Sequence, residues 1–438
     1  MVVDTFLAQM QAPTDLSATP IPDADIARML EGARWTPSAD NEQVWRFLVI
    51  TSPTKKGAVL QAVEQQDSRL QGALAGEMKV LTGADRDKMS FTFTQANYEP
   101  TNDAYLQDVT DAYAADMVCA RNASVFIICT YLRKFISKFY GGLEIGGAIL
   151  HALLLAQKSG HAIRWIRNFN RETIQTSLSI PENFDITAIL AVGEPVSGEE
   201  IPTALLADEE ERAGRGSSLE DLILDRRSVR AYKEDPIPRE IIDSLQNLGQ
   251  IVPTFSTEKF IEIIPTVEPD LLQKVANEAR IVFVKQKHVG IAPAVFAVAY
   301  NASGAAGFYG QADVGMVIES ILLDAYARGI GTCWIGAFSH GRMRRVLEVP
   351  DTHRMESLIT MGYPAEYPEP PPRLPLGLMA FRDEWKVPFV PVARGGIHRA
   401  GVSSIILRNF KSADATTILR DRPAGTPWVP EFREINEK

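Results

Sequence analysis

The chain is 438 residues long, a length that predicts two or three domains. Hydrophobic residues make up 45% and charged residues 23%, the balance of a folded globular protein, which excludes disordered, collagenous and disulfide-rich secreted classes. The formal net charge of −10 argues against a nucleic-acid binder, which would carry a basic face.

The N-terminal segment MVVDTFLAQMQAP lacks the basic start and long apolar block of a signal peptide. Residues 20–38, PIPDADIARMLEGARWTPS, predict a helix opened by proline and closed by Pro37. A polar, helix-favouring stretch follows over 65–117, dotted with Phe91, Phe93, Tyr98, Tyr105 and Tyr113. Residues 144–166, EIGGAILHALLLAQKSGHAIRWI, predict an apolar helix ended at Gly160 and then a short strand. The acidic, glycine-containing segment 197–217 predicts an exposed linker, after which Ser217-Ser218-Leu219-Glu220 predicts a capped helix start. The tail 376–438 is rich in Pro, Trp and Phe with little periodicity, and reads as an extended arm packed on the body.

The later half repeats the earlier one. Residues 236–254, PIPREIIDSLQNLGQIVPT, match 20–38 at an offset of 216. Residues 313–335, DVGMVIESILLDAYARGIGTCWI, match 144–166 at an offset of 169, and the match continues through Gly193/Gly362 and Pro195/Pro364. The first copy therefore carries about 47 extra residues, expected within 65–117. This predicts an α+β domain over 1–196 with that insertion, a linker over 197–217, a second copy over 218–375 and an arm over 376–438. Cys119, Cys129 and Cys333 lie far from any CxxC or Cys/His spacing, so no disulfide framework is predicted and no metal is expected. The longest apolar stretches, such as Ile291–Tyr300, run to about ten residues, too short to span a bilayer. A cytoplasmic location is the expectation.

Several segments resemble those of FMN-dependent nitroreductases. Pro37-Ser38-Ala39-Asp40-Asn41-Glu42-Gln43-Val44-Trp45 resembles the family's PSxxNxQPW loop, and Arg226-Arg227-Ser228-Val229-Arg230 its opening RxSxR segment. Asp313-Val314-Gly315, leading to Gly329–Gly336, looks like the central dimer helix and the strand after it; Gly362-Tyr363-Pro364 followed by Arg373 looks like the C-terminal phosphate-binding stretch. The resemblance implies a nitroreductase-like fold in two tandem copies, each a central antiparallel or mixed sheet flanked by helices, forming within one chain the dimer that family members build from two. It implies a monomer, although further pairing stays open.

The resemblance also implies roles. Arg226, Arg227, Ser228, Arg230 and Arg373 would hold the FMN phosphate, since guanidinium forks and a hydroxyl suit a dianion. The bland alternative is a basic helix end. Pro37, Ser38, Ala39, Asn41 and Gln43 would face the ring, with small residues admitting the flat flavin and amides offering hydrogen bonds; the alternative is an ordinary turn. Ile335 and Gly336 would line the flavin, or simply form a buried strand. Asp313 reads as a helix cap, His340, just after the Trp334–Phe338 strand, as a surface residue or one that reaches a pocket, and Trp45 and Trp165 as core. At the matching positions the first half has Met10, Ala12 and Thr14 for the RxSxR residues, and the second half has Thr257 and Lys259 for Asn41 and Gln43. One complete interdomain site per chain follows, with no catalytic side chain assigned because the flavin carries the chemistry. The implied activity is NAD(P)H-driven reduction of a flat aromatic or quinone-like acceptor, with 65–117 as a lid or as extra packing. The alternatives are a flavin-sequestering protein, its pocket covered by the tail with Trp385 and Trp428, or a specialised flavin chemistry such as dehalogenation, dehydrogenation or flavin fragmentation.

Overall fold

The structure, a computed structural model, describes residues 7, 10, 12–68, 70, 104–134, 137–196, 218–252, 254, 260–281, 284–302 and 306–390. The core of the predicted insertion, the linker 197–217, Thr257 and Lys259, and the tail from 391 with Trp428 lie outside the described residues.

The strands are β1 (Leu16–Ser17), β2 (Trp45–Ile50), β3 (Val125–Leu132), β4 (Ala162–Ile166), β5 (Phe184–Pro195), β6 (Ile261–Thr266), β7 (Arg280–Ile281), β8 (Val284–Lys285), β9 (Ala294–Asn301), β10 (Gly331–Ile335), β11 (His353–Gly362) and β12 (Ala380–Arg382). The repeat reappears in them. An offset of 216 carries β2 onto β6, and 169 carries β3 onto β9, β4 onto β10 and the helix Ser137–Lys158 onto Ala306–Ala327. The fold is thus α+β, with two nitroreductase-like sheets, each flanked by helices.

The chain divides into two compact units that exchange segments relative to the repeat. One comprises 1–11, 66–114 and 207–369; the other comprises 12–65, 115–206 and 370–438. In the first, four antiparallel strands run in the order β10-β11-β9-β6, with β7 and β8 as a separate pair. Here Asp67, from beside the insertion, is buried and accepts a hydrogen bond from Tyr309 Oη at 2.5 Å. In the second, the order is β1-β5-β3-β2-β12, with β4 also on β5. β12 pairs in parallel with β2, Phe381 opposite Leu48, so the start of the predicted arm completes the sheet of the first copy. Trp385 packs edge-on to Phe184 at 4.7 Å and against Phe381 at 5.1 Å.

Local chemistry explains the elements. The proline-opened helices run over Asp23–Arg34 and Arg239–Ile251, with Pro22 and Pro238 as their N-caps. Ser218 caps the helix Leu219–Asp225, its hydroxyl accepting from Asp221 N at 3.1 Å. Gly160 and Gly329, just past the two long helices, take φ of +79° and +77°, the left-handed ending that glycine adopts without strain. Strand β3 is buried along nearly its whole length, which accounts for its apolar run, broken only by Thr130, whose hydroxyl donates to Arg46 O at 2.9 Å. The three cysteines are buried and free.

One expectation needs correction here. Asp313 lies inside the helix Ala306–Ala327 and is fully buried, so it is no cap; the resemblance had marked only the later part of that helix. Phe139–Lys158 is long and apolar enough to cross a membrane by length and composition alone, and 83% of its apolar 18-residue window is buried inside the protein.

Candidate functional site

The loop after the helix Asp23–Arg34 has a backbone that few sequences adopt. Asp40, Asn41 and Gln43, none of them glycine, take φ of 50°, 54° and 48°. Left-handed residues with side chains persist only where their surroundings over-determine them, and such strain gathers at functional sites. The surroundings here do so. Ala39 N donates to Glu144 Oε1 at 2.6 Å, and Gln43 N to Ser38 Oγ at 3.0 Å. Arg46 Nη1 donates to Gln43 O at 2.9 Å.

A strip of backbone over 372–374 secures the side chains. Pro372 O accepts from Asn41 Nδ2 at 2.8 Å and from Gln43 Nε2 at 3.2 Å. Leu374 N donates to Gln43 Oε1 at 2.7 Å. Arg373 Nη1 donates to Asn41 Oδ1 at 2.6 Å, and its Nη2 to Trp35 O at 2.9 Å. Gln43 and Arg373 are both buried. The amides that the sequence offered to a ring are therefore engaged with the chain itself, and Arg373 stands with the loop, in the second unit. Pro37 and Ala39 are the remaining members of this turn.

The Arg226–Arg230 segment belongs to the first unit. It leaves the helix Leu219–Asp225 and runs beside β10, where Val229 N donates to Thr332 O at 2.8 Å and Ser228 forms a parallel bridge to Thr332. Arg226 is buried, its Nε 3.5 Å from Glu319 Oε1. Arg227 Nη1 caps the helix end through Leu224 O at 2.6 Å and Arg226 O at 2.9 Å. Burial, then the neighbouring Arg226 charge, holds the Arg227 guanidinium below its ordinary range. Arg230 is exposed; burial and the Arg230 charge together push His288 down to about 4. The segment thus sets three guanidinium groups in one short stretch, with the Glu319 carboxylate beside Arg226.

Ile335 is buried at the end of β10, and Gly336 follows it half-buried. His340 is no surface residue. Its Nε2 lies 3.2 Å from Gly336 O, its Nδ1 bonds Met355 O, and its ring stacks on Phe338 at 4.3 Å. In the other unit the position matching Gly336 is Arg167, buried, its guanidinium 3.4 Å over the Trp165 ring. Trp45 and Trp165 are core residues as expected. Glu144 and Arg167 were missed. The offset of 169, which pairs them with Asp313 and Gly336, was the signal that could have found them.

The sequence profile of the nitroreductase family matches residues 15–194 and 223–363, well over half of the chain. The chain belongs to the nitroreductase family. A protein of Methanothermobacter thermautotrophicus named "Putative NADH dehydrogenase/NAD(P)H nitroreductase" is 29% identical over 154 residues, 34% of this chain and 78% of that protein. Among solved structures, an NADPH:FMN oxidoreductase from Vibrio harveyi, complexed with NAD+, is similar at 22% identity and a TM-score of 0.35, covering 38% of this chain and 77% of that one. An FMN-dependent nitroreductase from Clostridium difficile is similar at 21% identity and a TM-score of 0.30, covering 33% and 87%.

Proposed function

We propose that this chain is an FMN-dependent oxidoreductase of nitroreductase type, using NADH or NADPH to reduce a flat aromatic or quinone-like acceptor by two electrons. The observation that carries the reading is the Arg226–Arg230 segment beside β10, three arginines in one short stretch with Ser228, where burial and the Arg226 charge depress Arg227. A dianionic phosphate fits such a cluster: guanidinium forks and a hydroxyl match its oxygens. Membership of the nitroreductase family supports the same reading.

When bound, FMN supplies hydride acceptance and release. The chain's residues bind and orient. Arg226, Ser228 and Arg230 hold the phosphate, and Arg227 adds charge while capping its helix. Pro37, Ser38 and Ala39 present a small-residue turn to the flat ring, with Asn41 and Gln43 fixing that turn from behind. Ile335 and Gly336 line the ring from the end of β10, and His340 holds the Gly336 carbonyl. No side chain is asked to form a covalent bond. Each set occurs intact once, so the chain takes one FMN and acts without a second copy.

Purified chain should show a flavin spectrum, with about one FMN released per chain by acid. NADH or NADPH should bleach it without oxygen, and a nitroaromatic or quinone should restore it. Bound flavin that neither nicotinamide reduces would overturn the enzymatic reading in favour of sequestration.

A further inference from the structure

Arg373 carries the clearest unassigned role. The resemblance makes it a phosphate ligand, yet the residue is 4% exposed and donates from both terminal nitrogens within its own unit. One bonds Asn41 Oδ1 and the other Trp35 O, the carbonyl closing the helix that leads into the loop. The Trp35 ring lies beneath it, 5.5 Å from the guanidinium carbon to the ring centroid. The bond to Asn41 reaches the middle of three left-handed residues, which relax unless held.

Resting on the flavin reading of this loop, we infer that Arg373 is a positioning residue: it acts through Asn41 and the Trp35 carbonyl to hold the ring-binding loop in its left-handed form. Its fork spans two neutral acceptors at once, a task a lysine point charge cannot repeat. The adjoining Pro372 carbonyl and Leu374 N–H fasten the neighbouring amides, so the tripeptide works as one latch.

Riboflavin, which has the ring and no phosphate, separates the two roles. Arg373→Ala should weaken FMN and riboflavin binding by the same factor, about tenfold or more for lost bonds to a charged group. Arg226→Ala with Ser228→Ala should weaken FMN alone. Asn41→Ala combined with Arg373→Ala should bind no worse than the weaker single variant, because the two act as a unit. A loss confined to FMN in Arg373→Ala, or additive losses with Asn41→Ala, would overturn the inference. Hydrogen exchange on the flavin-free chain tests the latch separately. Arg373→Ala should speed exchange at residues 39–43 about tenfold and leave Ile127 and Ile128 in β3 unchanged. Unchanged exchange at 39–43 overturns the latch, whereas wild-type chain that binds neither flavin overturns the functional reading instead.

Discussion

At the scale of single residues, the sharpest chemistry outside the cations is Glu144. It is buried under the loop with Ala39 N–H on one carboxyl oxygen. Burial, reinforced by the charges of Glu42 and Asp40 and only partly offset by the Ala39 bond, pushes its carboxyl up to about 8. Its folded value thus lies above its unfolded one, and the folded chain binds the extra proton. The resulting stability is complete below about pH 4.5 and is lost as pH rises towards 8, with no further change beyond. Glu144→Gln keeps an acceptor for Ala39 and removes the charge. It should flatten this decline between about pH 5 and 8, as read by melting temperature at several pH values. The cations make a second prediction at this scale. Arg226→Ala with Ser228→Ala should abolish FMN retention, whereas Met10→Ala, at the uncharged counterpart, should leave the flavin content of the purified chain unchanged. Undiminished flavin in the double variant would refute the phosphate assignment.

At the scale of elements, the two long helices end on glycines that no other residue type replaces without strain. Nothing lies within 4 Å of a methyl group added at Gly160 or Gly329, so alanine there meets only the backbone penalty. Each substitution should cost about 1 kcal/mol, visible in urea unfolding with flavin stoichiometry unaltered. β12 is tied by more than its pairing. Asp383, just beyond it, accepts from Thr51 N and Ser52 N at 2.8 and 2.9 Å and from the Thr51 hydroxyl at 2.7 Å. Burial opposes its ionisation, but these bonds and Lys55 outweigh it and hold the carboxyl below the usual carboxylate range. A depressed folded value contributes stability above the unfolded value of about 4, lost as pH falls through the folded one. Asp383→Ala should therefore lower the melting temperature more at pH 7 than at pH 3. An equal loss at both pH values would mean the carboxylate bonds are not what anchors β12.

At the scale of the whole molecule, the repeat and the unit boundaries follow different logics. The proline-opened helices, the glycine-ended helices and the short strands after them were legible because each depends on residues within about four positions of one another, and the two offsets because they need only the sequence compared with itself. The positively charged segment was legible too, because its residues are consecutive. By itself the sequence determined two copies of one α+β unit, their helix starts and stops, and where charge is kept in one copy and lost in the other. Only the tertiary structure decided that residues 370–390 complete the sheet of the first copy, that Asp67 joins the second, and that Asn41, Gln43 and Arg373 bind one another. Those partners are over 300 positions apart for the loop and the tripeptide. β12 is three residues long, too short to carry a pattern. Its place, like the left-handed turn that Arg373 holds, is set by hydrogen bonds whose partners the chain meets only after folding.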